Sequence, residues 1–416
     1  MNVIERYESA AQSYVRAAPV VFRQARGAEL FDDKGSLFID FYSGGGTLNY
    51  GHNHLSVCTA LIDYLCQDGI VQTRDKSSVA KREFIRSFVQ TILEPRNLNY
   101  KLLFTDPGSG TATEIALRLA RRDRKRSNVL AFTNGSHGLT AGAATVTSRM
   151  ALKHESVDLR SHTVFMPYCG YFGPDTDTIP YLRRYLEDTA SGVERPAAVI
   201  VATVQDEGGV HVATNAWLKS LEGLCREFDI LLILDETQTG CGRCGSFFSF
   251  ERSGIVPDMV LVSHAIAGGL PMSLLLMKPE LDHWWPGEQV GIFQGDSLAF
   301  VAATELLKLW NDDTLAADIA VRGQMLESAL TAMLAKFPPQ RAALRGDGML
   351  WGLDFGAAAS AAVISGWALE AGLVVETARL RDEVLLIQPP VTISDDTMRE
   401  GLRRLDVAVS MFLSHH

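Results

Sequence analysis

Four short stretches of this chain put chemically capable residues where an apolar run gives way to a turn. The first is Asp106-Pro-Gly108-Ser109-Gly110-Thr111, directly after Lys101-Leu-Leu-Phe-Thr105. Small residues there let backbone N–H groups approach an anion, and the N-terminus of a following helix adds positive potential. That suits a phosphate, although an ordinary strand-to-helix turn uses the same residues. The second is Asp235, which ends the run Leu231-Leu-Ile-Leu and opens Asp235-Glu-Thr-Gln238. A carboxylate carried into the interior needs a partner, and it serves equally as a ligand contact or as the cap of a turn. The third is Asn134-Gly-Ser136-His137-Gly138, just past Val129-Leu-Ala-Phe132. Taken alone, His137 reads as a loop histidine more readily than as a ligand. The fourth is His264, between the run Met259-Val-Leu-Val-Ser263 and the pair Gly268-Gly269. It reads either as an acid–base group facing a cleft or as a satisfied buried imidazole.

The elements that must hold these residues follow from apolar periodicity. Near-continuous apolar runs at Lys101–Thr105, Val129–Phe132, Ala197–Ala202, Leu231–Leu234, Met259–Val262 and Ser273–Met277 are strands covered on both faces. After Gly110 the residues Ala112, Ile115, Ala116 and Leu119 make one helical stripe. Strands alternating with helices give an α/β fold with a mostly parallel sheet, whose ligand crevice lies at the carboxyl ends of the strands. From about residue 310 the pattern changes to a smaller α+β unit. It comprises a helix over Leu315–Lys336, strands at Met349–Asp354, Leu373–Glu376 and Val384–Gln388, and a helix between the first two strands. Residues 1–45 hold a helix and the hairpin Glu29–Asp40, and pack with that unit. The expected division is 46–309 as the large unit and 1–45 with 310–416 as the small one.

Composition narrows the function. The chain has 416 residues, is 47% apolar and carries a formal charge of −10, enough for a large core and with no basic stripe for nucleic acid. No apolar run is long enough to span a membrane, and the N-terminus lacks a secretion signal. The six cysteines are dispersed, which favours reduced thiols in a cytoplasm. Cys241-Gly-Arg-Cys244 has no second pair beside it, so it reads as incidental loop cysteines and no metal site is expected. The terminal His415-His416 pair is left out of the reading.

Taken together, the strings Asp235-Glu-Thr-Gln-Thr-Gly240 and Ser263-His264-Ala-Ile-Ala-Gly-Gly269 resemble the two cofactor strands of the class III aminotransferases. The likeness covers nearly the whole chain and is strongest to the diaminobutyrate–2-oxoglutarate group of ectoine biosynthesis. Segments that carry it include Arg23-Gln-Ala-Arg-Gly27, Leu48-Asn-Tyr-Gly-His-Asn53, Val79-Ala-Lys-Arg-Glu-Phe84, Met166-Pro-Tyr-Cys-Gly-Tyr-Phe172 and Gly254-Ile-Val-Pro-Asp258. The resemblance implies fold-type I, a homodimer with sites at the subunit interface, and pyridoxal phosphate. It places Ser109, Gly110 and Thr111 in a phosphate cup. Asp235 becomes the partner of the pyridine nitrogen, Gln238 the partner of the phenolic oxygen, and Glu207 a glutamate beside the site. Ser136 and His137 border the ring.

The departures carry as much information. In the family a lysine stands where this chain has His264, and it forms the covalent link to the cofactor, which an imidazole cannot. Ser136 stands where an aromatic ring stacks on the pyridine. Ala202 replaces a glutamate among the substrate contacts, and Ile292 a threonine that reaches across the dimer. The chain also runs one residue short near Gly268-Gly269. A single change at 264 would not account for the other three, so the pattern is natural divergence. Each lost hydrogen bond to a charged group costs about 1.5–3 kcal/mol, against the ~8–12 kcal/mol of a micromolar-to-nanomolar complex. Three readings follow. One is an enzyme that binds pyridoxal or pyridoxamine phosphate non-covalently, acts on a small amino acid or keto acid, and uses His264 for acid–base work with Glu207 at its side. The second is a cofactor-independent enzyme using the same pocket. The third is a non-catalytic partner subunit of an aminotransferase.

Overall fold

In the computed structural model, residues 3–9, 20–74, 76–148, 162–289, 291–336, 338 and 342–415 are described. All six apolar runs become strands of one seven-stranded sheet. Their order across it is Lys101–Thr105, Ser273–Met277, Met259–Ser263, Leu231–Asp235, Ala198–Val201, Val129–Phe132, Thr163–Met166. The seventh, Thr163–Met166, is not among the six runs: its apolar stretch is only Val164–Met166, and it lies at the sheet edge with three of its four residues half-buried. Ser273–Met277 runs antiparallel to both of its neighbours. The short turn through Gly268 and Gly269 cannot make a crossover, so the chain returns alongside Met259–Ser263. The remaining pairings are parallel. The strand ends after Thr105, Phe132, Val201, Asp235 and Ser263 therefore share one edge.

The helix expected after Gly110 spans Ser109–Arg124, and Ala112, Ile115, Ala116 and Leu119 are buried against the sheet. Its N-terminus meets the 134–138 loop at close range. A Cβ on Gly138, whose φ is +115°, would lie 2.6 Å from the Cα of Gly110. Two backbones approach here as only glycine allows.

The helix expected over Leu315–Lys336 runs from Thr314 to Leu334. The stretch Leu373–Glu376 departs from expectation, because it is two strands. Leu373–Val374 pairs in parallel with Leu37–Asp40 of the N-terminal hairpin, while Glu376–Ala378 joins Ala343–Asp347, Leu350–Asp354 and Arg381–Ile387 in an antiparallel sheet. Buried Val375 sits at the switch. This pairing ties residues before 45 to residues after 310. Of the helix expected in residues 1–45, Val3–Tyr7 is described, and positions 10–19 lie outside the described residues. Among the described residues no helix is long and apolar enough to cross a membrane.

A single guanidinium joins these parts. Arg243 is completely buried. It donates from Nε and Nη2 to Asn49 Oδ1 at 3.1 and 2.6 Å, and from Nη1 to the carbonyls of Met349 and Pro389. Asn49 in turn donates to the carbonyls of Gly240 and Cys241. Burial pulls the Arg243 guanidinium down to about 10, still charged at neutral pH.

Two predictions follow from these contacts. Asn49→Leu leaves two buried donors of a cation unpaired, so stability measured by urea denaturation should fall by about 3–5 kcal/mol. His211, on a short strand beside Arg345 and Arg381, is held down at about 4, first by burial and then by those two guanidiniums. The unfolded chain takes up this proton near pH 6.5 and the folded one does not. Stability present above pH 6.5 should therefore be lost as pH falls toward 4. Thermal unfolding of His211→Gln across that window should show a shallower decline than the parent.

Candidate active site

The shared strand edge encloses a cavity of 540 Å³. Each strand end delivers one wall. Gly108 and Gly110 come from the turn into the Ser109–Arg124 helix, Ser136 and His137 from the 134–138 loop, and Glu207 from the segment after Ala198–Val201. Thr237 and Gln238 follow Asp235, and His264 follows Ser263. Of the residues singled out from sequence, Gly110, Ser136, His137, Glu207, Gln238 and His264 line this space. Ser109 and Thr111 occupy the first turn of the helix whose N-terminus faces it. Asp235 is buried behind Thr237 and His137.

Asp235 is the best-held group in the site. His137 Nδ1 lies 2.7 Å from Asp235 Oδ2, and Thr237 gives Oδ1 both its amide, at 3.1 Å, and its hydroxyl, at 2.6 Å. Burial works to raise the Asp235 carboxyl, but these donors outweigh it and hold the group below the ordinary carboxylate range. A carboxylate offers about four acceptor positions. Three are taken, so Oδ2 retains room for one more donor. The neighbouring Glu236 points the other way. It accepts from Thr239, from the amide and hydroxyl of Ser249 and from the amide of Phe250, and it anchors the loop instead of serving the cavity.

His264 takes a left-handed backbone, φ +55°, at the start of a 3-10 turn over His264–Ala267. A non-glycine residue held there costs on the order of 1 kcal/mol, and such strain gathers at functional sites. Its Nδ1 lies 3.3 Å from the carbonyl oxygen of Thr237. A carbonyl can only accept, so Nδ1 carries the proton and the neutral ring keeps Nε2 as a base.

On the opposite wall Ser136 Oγ donates to Glu207 Oε2 at 2.7 Å, and Arg379 approaches Glu207 Oε1 at 3.7 Å. Arg379 also hydrogen-bonds Tyr42, whose phenol burial raises. Asp206, 9% exposed, faces the same space. Burial and the charges of Glu207 and Asp235 push its carboxyl up to about 7. Sequence reasoning missed Asp206, Arg379 and Thr237. Thr237 lies inside the string quoted for Asp235, and Asp206 directly precedes Glu207; in both cases the neighbouring acid drew the attention. Arg379 comes from a turn distant in sequence, and no local pattern marks it.

One residue expected among the substrate contacts lies off the cavity lining. Ala202, expected among substrate contacts, does not line it. It sits at the end of a buried strand, and its carbonyl accepts from Tyr168 Oη at 2.9 Å. Ile292, which the resemblance places at a contact across a dimer, lies on the surface of this chain. It is 58% exposed, and its carbonyl accepts from Gln72.

Comparison with known proteins agrees with this architecture. The family described as aminotransferase class-III matches residues 10–409. A diaminobutyrate–2-oxoglutarate transaminase of Wolinella succinogenes is 47% identical over 413 residues, covering 99% of this chain and 97% of that protein. One from Bordetella parapertussis is 45% identical, covering 100% and 96%. Among solved structures, the ornithine aminotransferase of Toxoplasma gondii superposes with a TM-score of 0.86 at 24% identity, covering 99% of this chain and 93% of that one. The N-acetylornithine aminotransferase of Stenotrophomonas maltophilia gives 0.77 at 23%, covering 100% and 99%. With its sheet order, its cavity and its sequence in agreement, the chain belongs to the class III aminotransferases, transferases of fold-type I.

Proposed function

We propose that this protein is a class III aminotransferase that works without a covalent cofactor anchor, using His264 to move a proton at the α-carbon of a small amino acid or keto acid. The observation that carries this is the placement of His264: it lines the cavity, and Thr237 fixes its tautomer with Nε2 as the base. The cofactor of the family is pyridoxal phosphate, and the residues present fit it. Asp235 has one acceptor position left for a pyridinium N–H. The glycine turn into the Ser109–Arg124 helix offers backbone N–H groups to a phosphate. Gln238 lines the wall between Asp235 and the open cavity. When bound, the pyridine ring supplies an electron sink.

Each residue of the chain then has a physical task. Asp235, kept ionised by His137 and Thr237, holds a ring nitrogen protonated. His264 takes and returns a proton through Nε2. Glu207, tethered by Ser136 and facing Arg379, fixes charge on the substrate side. A pyridoxamine form would need no lysine, and the missing anchor makes binding reversible. The relatives named for diaminobutyrate favour a short diamino acid as the substrate.

A second reading, catalysis without the cofactor, is favoured by one observation. Among the described residues that line the main cavity, none is Phe, Tyr or Trp, which leaves only the imidazoles of His137 and His264 to face a pyridine there. The division into a unit over 46–309 and a second over 1–45 with 310–416 belongs to the proposal and is supported by the Leu37–Asp40 to Leu373–Val374 pairing. A homodimer belongs to it too. Leu55, Ile62, Leu65 and Phe293 expose large apolar side chains, as a surface awaiting a second copy would.

Absorbance decides between the two readings. The protein mixed with pyridoxal phosphate should show a bound chromophore that dialysis removes, and a protein that stays colourless with either cofactor form overturns the first reading. His264→Ala should keep the chromophore and lose about 10²–10⁴-fold in turnover. Unchanged turnover would take His264 out of the mechanism. His264→Lys should make the chromophore resist dialysis.

A further inference from the structure

His137 reaches Asp235 from a stretch of chain that belongs to no strand or helix. A buried peptide outside any ladder must still pair its N–H and its C=O. For His137 both partners are threonine hydroxyls. Its amide donates to Thr147 Oγ1 at 3.0 Å, and its carbonyl accepts from Thr113 Oγ1 at 2.8 Å. Both threonines are completely buried. Thr113 stands in the Ser109–Arg124 helix, and its hydroxyl crosses to the loop. Thr147 follows the short helix Ala141–Thr145. Its Oγ1 also lies 2.9 Å from the carbonyl oxygen of Gly138 and 3.1 Å from that of Ala143, so it closes the loop on itself.

This clamp matters because the Asp235 carboxyl is held between opposing influences. Burial is the largest and works to raise it, His137 comes next, and Thr237 follows. The imidazole contact is 2.7 Å long, and such a bond weakens steeply once the donor swings out of line. The titratable groups that face Asp235 are His137, from the loop, and Asp206, from the segment after Ala198–Val201. Glu236 is turned to Ser249, and His264 to the carbonyl of Thr237. Among the described residues only His137 and Thr237 donate to Asp235 from their side chains. Nothing stands ready to replace the imidazole.

We infer that Thr113 and Thr147 are positioning residues whose hydroxyls lock the His137 peptide so that its imidazole stays on Asp235. They come from two separate elements, so the loop cannot follow one without breaking its bond to the other. Two hydrogen bonds thereby join Asp235 to the helix whose N-terminus faces the cavity. The inference rests on the proposed reading only for its purpose, a ring nitrogen kept protonated. The lock itself is a property of the protein without a cofactor.

Urea denaturation of the cofactor-free protein at pH 8 and at pH 5 tests this. Thr113→Val and Thr147→Val keep the side-chain shape and remove the hydroxyl. With the imidazole released, burial dominates and the Asp235 carboxyl rises above its unfolded value of about 3.9. Between pH 8 and pH 5 the folded variant then takes up a proton that the unfolded chain does not, so it gains stability as pH falls. In the parent the carboxyl stays ionised across that window and contributes no such gain. The parent should therefore be more stable than either variant at pH 8. The ratio of their folding constants should shrink roughly 10-fold by pH 5, the worth of one pKa unit. His137→Gln, which removes the donor itself, should show the same narrowing, and Thr113→Ser should behave as the parent. A ratio that does not change with pH would make the threonines merely structural and overturn the inference, as would variants as stable as the parent. Thr113→Ala gives the same reading should the valine variants fail to fold. A protein that stays colourless with the cofactor would sink the proposed chemistry and leave this result standing.

Discussion

Much of this structure depends on one buried cation. Arg243 has no carboxylate among its hydrogen-bonding partners. It is held by one amide oxygen and two backbone carbonyls, from segments near residues 49, 349 and 389. A charge removed from water is tolerated only where every donor finds a partner. That requirement fixes three distant parts of the chain against one another. Asn49 passes the constraint on to Gly240 and Cys241, within three residues of Gln238. Site geometry and assembly of the fold therefore share one hydrogen-bonded node, and neither can loosen alone.

The site itself is built by topology more than by any one motif. Five strand ends arrive at one edge because the sheet is parallel apart from Ser273–Met277. The turns that follow need only be short to face each other. Buried hydrogen bonds then set the details, namely the Asp235 clamp, the His264 tautomer and the Ser136–Glu207 pair. These are small adjustments on a rigid frame, and the frame explains how side chains in the cavity can diverge while the fold does not.

What was legible beforehand divides along physical lines. Strands buried on both faces announce themselves by unbroken apolar runs, and all six such runs became strands of one sheet. The edge strand Thr163–Met166 carries only the short apolar stretch Val164–Met166, which periodicity alone does not separate from a buried turn or helix segment. Leu373–Glu376 reads as one strand because sequence records burial but not which sheet a residue pairs with. In the site, residues next to a glycine turn or a strand end were legible. Arg379 was not, because tertiary contact alone brings it near Glu207. Ala202 lies just past a strand end as other lining residues do, yet it is not on the cavity lining.

The Ser136–Glu207 bond bears on how substitutions in this cavity would combine. The Ser136 hydroxyl occupies one oxygen of Glu207 and is part of how that carboxylate is held. A ring placed at position 136 would untie Glu207 and leave Arg379 a freer partner. Two residues in contact do not change independently, and their effects do not add. A lysine placed at 264 would therefore meet a different cavity depending on which residue stood at 136. The order of the two substitutions would matter, and each would be judged in a background the other had already altered. In such a cavity the hydrogen bond of a single serine can act as a ratchet.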